Sequence, residues 1–234
     1  MNSYIKKQMK SLKIIATALL LGASTGASAQ GIMGGHVTGN VQLDGQMSRA
    51  DSVIGAQDVP EKLLMNARAD ILYTLGDFSA GLRFEMYEKP LLGFDAQYEG
   101  EGLANYFVSY NGERLSVTAG NFYEQFGSGM ILRTYEDRYL GLDNSIRGLN
   151  VTLRPIDGIT IKGLIGKERV YWFYSDGLVR GIDGEVNLGS LIKPLGESKF
   201  RAILGAGFVS RYEGDETIPS SADPEYRLNL PLNV

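Results

Sequence analysis

The sequence predicts an all-β protein: an antiparallel up-and-down transmembrane β-barrel with about ten strands visible. Three observations predict it. Apolar and polar residues alternate with period two from His36 onward, the runs are long for strands, and long connections alternate with short ones. Period two is the strand signature, because successive side chains point to opposite faces of a pleated backbone.

The first strand reads His36 to Met47, with Val37, Gly39, Val41, Leu43, Gly45 and Met47 on one face. His36, Thr38, Asn40, Gln42, Asp44 and Gln46 fall on the other. The second, over 65–74, sets Met65, Ala67, Ala69, Ile71 and Tyr73 against Asn66, Arg68 and Asp70. The third, over 78–87, sets Phe78, Ala80, Leu82, Phe84 and Met86 against Ser79, Arg83 and Glu85. Further strands are predicted at 103–110, 115–123, 149–154, 159–167, 182–188 and 200–212, and a tenth begins near Arg227. Short turns fall at 75–77, 111–114 (with the hairpin pair Asn111-Gly112), 155–158 and 189–199. Long connections fall at 48–64, 88–102, 124–148, 168–181 and 213–226. An outer-membrane barrel has this layout, with short periplasmic turns and long outer loops.

A soluble β-sandwich also alternates, so length and aromatic placement separate the two. A tilted membrane-spanning strand needs ~9–11 residues, whereas globular strands cluster near ~5–6. Tyr73, Phe78, Tyr110 and Phe200 lie on the apolar face beside the short turns, and Phe84, Tyr106, Tyr123 and Phe208 lie toward the long loops. Two aromatic bands around smaller residues resemble interfacial girdles. The last run, Arg227 to Val234, is short and contains Pro231, which removes a ladder hydrogen bond. An interrupted barrel is therefore expected, with this chain an N-terminal fragment of a larger one.

Residues 1–29 read as an export signal: Lys6, Lys7, Lys10 and Lys13, then the apolar run Ile14 to Leu21, then Ala27-Ser28-Ala29. The apolar run is too short to span a bilayer. Residues 30–234 form the expected barrel domain, in the outer membrane of a Gram-negative bacterium. Losing the leader's lysines moves the formal charge from −4 to −8. An acidic chain argues against nucleic acid, whose phosphates need clustered Lys and Arg. The chain has no cysteine and one histidine, His36. Disulfides, thiolate metal sites and cysteine catalysis are thereby excluded, and a Ser-His hydrolase is disfavoured. No cofactor and no catalytic role are expected.

Three phrases carry a resemblance. They are Pro60-Glu-Lys-Leu-Leu-Met-Asn66, then Gly120 to Gly127 running on through Leu132 to Gly141 and Asp143-Asn144, and Val179 to Glu185. Together they resemble a family of uncharacterised exported proteins from Bacteroidetes-type bacteria, regarded as outer-membrane β-barrels. The resemblance spans most of residues 35–190 and implies location and architecture without an activity.

Candidate functional residues follow from the polar faces. Arg68, Asp70, Arg83, Glu85, Arg154, Asp183, Glu185 and Arg201 would line a lumen, either wet or closed by ion-pair ladders. In a sandwich they would be a solvated face. The 124–148 connection holds Glu124, Arg133, Glu136, Asp137 and Arg138. It is expected either to fold inward as a constriction or to stay outside as a partner loop. Met130, Ile131 and Leu132 with Gly127, Gly129 and Gly141 suggest that this segment is folded. The aromatic run Val170 to Tyr174 is expected as an interfacial anchor or a binding patch. His36 lacks a nucleophile beside it, and Asp183 with Glu185 is a spacing that chance supplies on a polar strand face. Gly166-Lys167 is not a phosphate loop, since Ile161 and Glu168 occupy its key positions. The expected partners are outer-membrane lipid and either small solutes or another envelope protein.

Overall fold

The computed structural model describes residues 34–50, 52–55, 62–199 and 202–213. Eleven strands occur among them: β1 (His36–Met47), β2 (Leu63–Leu75), β3 (Phe78–Lys89), β4 (Gly100–Asn111), β5 (Leu115–Phe122), β6 (Glu136–Asp137), β7 (Leu142–Asp143), β8 (Ile146–Leu153), β9 (Ile159–Val170), β10 (Phe173–Asn187) and β11 (Ile203–Tyr212). Nine form one antiparallel sheet in the order β1-β2-β3-β4-β5-β8-β9-β10-β11, and β6 pairs with β7 as a separate ribbon. The order is that of a meander. Among the described residues it is open, with β1 and β11 at its ends. The leader, the tenth strand expected near Arg227 and the start of the run expected at 200–212 lie outside the described residues.

The chain divides into two compact units: Met1–Asn121 with Asp137–Gly141, and Phe122–Glu136 with Leu142–Val234. In the first unit, β1 pairs with β2 in unbroken register from His36↔Thr74 to Met47↔Leu63. The β2–β3 hairpin turns at Gly76, whose φ of +54° lies in the left-handed region that glycine enters without a Cβ penalty. Between β3 and β4 the register shifts at Arg83/Phe84, so that Arg83 faces Asn105 and Phe84 faces Leu103. The extra residue, Ala104, returns the polar positions of β4 to the face that carries Arg83, as a bulge must when the pleat period is two.

The burial pattern is inverted relative to a soluble sheet. On the apolar face, Leu82 and Val108 are 50% and 58% exposed. Ile71, Phe84, Leu103 and Tyr106 are exposed as well. On the polar face, Asn66, Glu85, Asn105 and Ser109 are buried. The same inversion holds in the second unit, where Leu149, Ile165, Ile182 and Phe208 are exposed while Thr152 and Asp183 are buried. Burial of apolar area drives folding in water, so a soluble sheet turns its apolar face inward. Here that face is the accessible one.

Two expectations need correcting. The long connection expected at 168–181 is strand: β9 and β10 pair up to Val170↔Phe173, leaving Tyr171 and Trp172 as a two-residue hairpin loop. Tyr171 takes a φ of +55°, the left-handed geometry such a loop requires at its first position. The Arg169 Nε donates to its carbonyl at 2.6 Å and holds it there. The second correction is at Arg154: β8 ends at Leu153, so Arg154 is an exposed turn residue rather than a strand position. In addition, the 189–199 connection contains two short helical turns, Leu188–Leu191 and Lys193–Gly196.

Candidate functional site

In the first unit, four of the expected polar-face residues form one ladder. The register places Arg68 opposite Glu85 and Asp70 opposite Arg83. Asp70 accepts from Arg68 Nε at 2.6 Å and from Arg83 Nε at 3.1 Å, and Arg83 Nη1 stands 3.6 Å from Glu85 Oε1. The two arginine side chains are only 12% and 11% exposed. Alternating sign along the ladder lets each buried charge neutralise its neighbours. Without that, the desolvation cost would be several kcal/mol per ion. Ser109 and Thr118 share a hydrogen bond at 2.8 Å across β4 and β5 on the same face. These groups make a solvated or ion-paired wall, with no nucleophile among them.

In the second unit the segment 122–136 lies on the polar face of β8–β11. Phe126 is 1% exposed and packs with Phe122, Ile146, Leu164 and Val179, against which Leu132 and Val209 also lie. Its ring covers Gly181: a Cβ there would stand 2.6 Å from Phe126 Cε2. Ile131 covers Gly207 in the same way, at 3.0 Å from the position of a Cβ. The segment closes on itself through Phe126 N–H to Leu132 O at 3.1 Å and Thr134 N–H to Glu124 O at 2.9 Å. Gly127 and Gly129, with φ of +48° and +86°, make the reversal between those bonds.

Polar links tie the segment to the strands beneath it. Lys162 Nζ reaches Glu124 Oε1 at 2.8 Å and the Gln125 carbonyl at 3.1 Å, and Asn150 Nδ2 donates to Glu124 Oε2 at 2.8 Å. Glu124 is therefore a strap between segment and sheet. Nearby, Asn150 Oδ1 and Asp183 Oδ2 are buried acceptors with no hydrogen-bond partner among the described residues. Glu185 is half-buried on the same face as Asp183. At the far end of the segment, Arg169 Nη1 meets Asp143 Oδ2 at 2.6 Å, with both side chains buried, and Asp143 Oδ1 accepts from Ser145 N–H at 3.0 Å.

The remaining candidates scatter. Arg133 lies over the Tyr135 ring at 5.0 Å to its centroid. Glu136 is half-buried at the start of β6, and Arg138 is exposed. Asp137 Oδ1 accepts from Tyr139 and Leu140 N–H at 3.0 and 3.1 Å, so it shapes the β6–β7 turn. Arg201 lies outside the described residues. Sequence reasoning missed Lys162 and Asn150 as partners of Glu124. Both occupy polar positions of alternating runs, and only their meeting with a residue 38 or 26 positions away was hidden.

A family model described as a family of unknown function matches residues 9–230, a range that contains all three phrases of the resemblance. No curated protein matches the chain. An uncharacterised family was expected from those phrases, and the match covers nearly the whole sequence. The chain belongs to the family of unknown function DUF6029.

Proposed function

We propose that this protein is an outer-membrane β-barrel of the transport class, exported by a cleaved leader and narrowed inside by the 122–136 segment. The observation that carries the reading is the inverted alternation: apolar positions accessible, polar positions buried, strand after strand. Transmembrane barrels alternate apolar-out and polar-in because lipid, not water, is the outer solvent. A soluble sandwich needs the opposite. The lengths agree, since β1, β3, β4 and β9 each have 12 residues. Asp70 with its arginines, and Lys162, Glu124 and Asp183, then line the lumen. The segment strapped by Glu124 narrows it, which favours passage of small polar solutes under a mixed-charge field.

A second reading, a surface barrel that binds an envelope partner, has its own observation. Tyr139 is 95% exposed at the tip of the β6–β7 turn, with Leu140 beside it. Aromatic anchors dominate protein contacts.

Membrane fractionation of the native gene product, with a heat-modifiability gel on the same samples, tests the barrel. Recovery with the outer membrane and a mobility shift on boiling are expected. A soluble, non-shifting protein would defeat it.

A further inference from the structure

We infer that the accessible face of β8–β11 carries a binding site for the phosphate-bearing headgroup of an anionic membrane lipid, formed by Arg147, Lys167 and Arg180. The inference rests on the barrel reading, because it takes that face as the lipid-facing one.

The register brings the three together. Arg147 on β8 lies directly opposite Lys167 on β9, and Lys167 lies opposite Leu178 on β10, two residues from Arg180 on the same face. All three are exposed. Like charges directly opposite one another across a strand pair are unfavourable unless an anion sits between them. No carboxylate supplies it from this face: the outward positions of β8 and β9, and of the paired stretches of β10 and β11, hold no Asp or Glu. Two tyrosines flank the cations. Arg147 lies 3.6 Å over the Tyr174 ring centroid, and Arg180 lies 5.9 Å from that of Tyr212. Such stacking fixes a guanidinium in place while leaving its N–H groups available.

What stands below the cations points to a lipid rather than a free anion. Descending the same face, the next levels are Leu149 with Ile165, then Ile182 with Phe208, then Leu153 with Ile161. These side chains are exposed and apolar. From Ile165 to Ile159 the strand descends about 20 Å at ~3.4 Å per residue, the depth of a bilayer's apolar band. A cationic cluster at the upper rim of such a band matches an amphiphile whose phosphate meets the cations while its acyl chains lie on the leucines and isoleucines. Clusters of Lys and Arg at the membrane surface draw anionic headgroups in this way.

The test uses the full chain folded into vesicles of phosphatidylcholine with and without phosphatidylglycerol, with retained lipid read by native mass spectrometry. Wild type should retain phosphatidylglycerol over phosphatidylcholine by about tenfold or more at low salt, the preference falling as salt rises. The R147Q/K167Q/R180Q variant should lose the preference while keeping its heat-modifiable fold, and K199Q should keep it. Should the triple variant fail to fold, Lys167→Met alone, which preserves the aliphatic stem, should weaken the preference severalfold. A triple or single variant with unchanged preference overturns the site, as does a wild-type preference that ignores salt. Displacement of the lipid by an equal concentration of inorganic phosphate would make this a free-anion site and overturn the lipid assignment. Insertion into both vesicles without preference defeats the headgroup site alone. Failure to insert into either defeats the barrel reading beneath it.

Discussion

The ring of Phe126 rests on the bare backbone of Gly181, where any Cβ would fall 2.6 Å from Phe126 Cε2. One residue comes from the connecting segment and the other from the middle of β10. Their contact is what lets an otherwise polar strand face accept a hydrophobic segment. Phe122, Ile146, Leu164 and Val179 complete the seat. It is the only hydrophobic cluster found among the described residues of the second unit that is closed to solvent, and it sits on the face where the other buried positions include Thr152, Asp183 and half-buried Lys162.

Gly181→Val should therefore unseat the segment, at a cost of about 1–3 kcal/mol for overpacking a filled site. Unfolding in detergent would report the loss, and limited proteolysis within 122–136 should become faster. Gly163→Val is the control, since a Cβ there meets nothing within 4 Å. That variant should unfold as wild type does.

The Glu124–Lys162 strap should couple the segment to β9. A double-mutant cycle with Glu124→Gln and Lys162→Met should give a coupling of about 1–2 kcal/mol, at the low end for a charged hydrogen bond because Lys162 is 24% exposed. If the segment narrows a pore, either variant should also raise single-channel conductance in planar bilayers.

Arg83 stands between Asp70 and Glu85, and both carboxylates depend on it. Arg83→Met should cost about 3 kcal/mol, the lower end for stranding a buried charge, because Asp70 keeps Arg68 and is 30% exposed. Replacing the ladder as a set (Arg68, Asp70, Arg83 and Glu85 by uncharged residues of similar volume) should recover much of that loss. Chemical denaturation of the folded protein in detergent micelles would measure both.

Ile165→Arg and Ile182→Arg place a charge in the accessible apolar band, which should cost about 2–4 kcal/mol near a bilayer midplane. On a water-facing surface the same changes would stay within about 0.5 kcal/mol. Folding yield into phosphatidylcholine vesicles separates the two outcomes.

Much of the sheet was legible in the sequence because the belt imposes strict period two. Strand β1 was bounded to the residue, and β3 and β11 to within a few. The ladder of Arg68, Asp70, Arg83 and Glu85 was legible as a face, and the register then made it a set of contacts. Legibility failed beyond the belt. Residues 168–181 read as a loop because Glu168, Arg169, Ser175, Asp176 and Gly177 break the alternation. Strand pairing continues through them all the same. Where both faces of a hairpin meet water, nothing forces apolar residues onto one of them, so the pattern vanishes while the hydrogen bonds persist. The packing of Phe126 on Gly181 was hidden for another reason. It joins residues far apart in the chain, and a glycine in a strand announces close approach without naming what approaches.

The chain has no cysteine, so single cysteines can report which solvent each face meets. The most direct measurement labels Leu82→Cys and Ile182→Cys, from the apolar face, and Ser109→Cys and Thr152→Cys, from the polar face, in the protein folded into phosphatidylcholine vesicles. A lipid-phase maleimide and a charged, membrane-impermeant one are applied in parallel. The account predicts that Leu82→Cys and Ile182→Cys react with the lipid-phase reagent and resist the charged one, while Ser109→Cys and Thr152→Cys resist the lipid-phase reagent. Charged-reagent labelling at Leu82→Cys and Ile182→Cys equal to that of an exposed loop cysteine would mean that the apolar face meets water, and would contradict it.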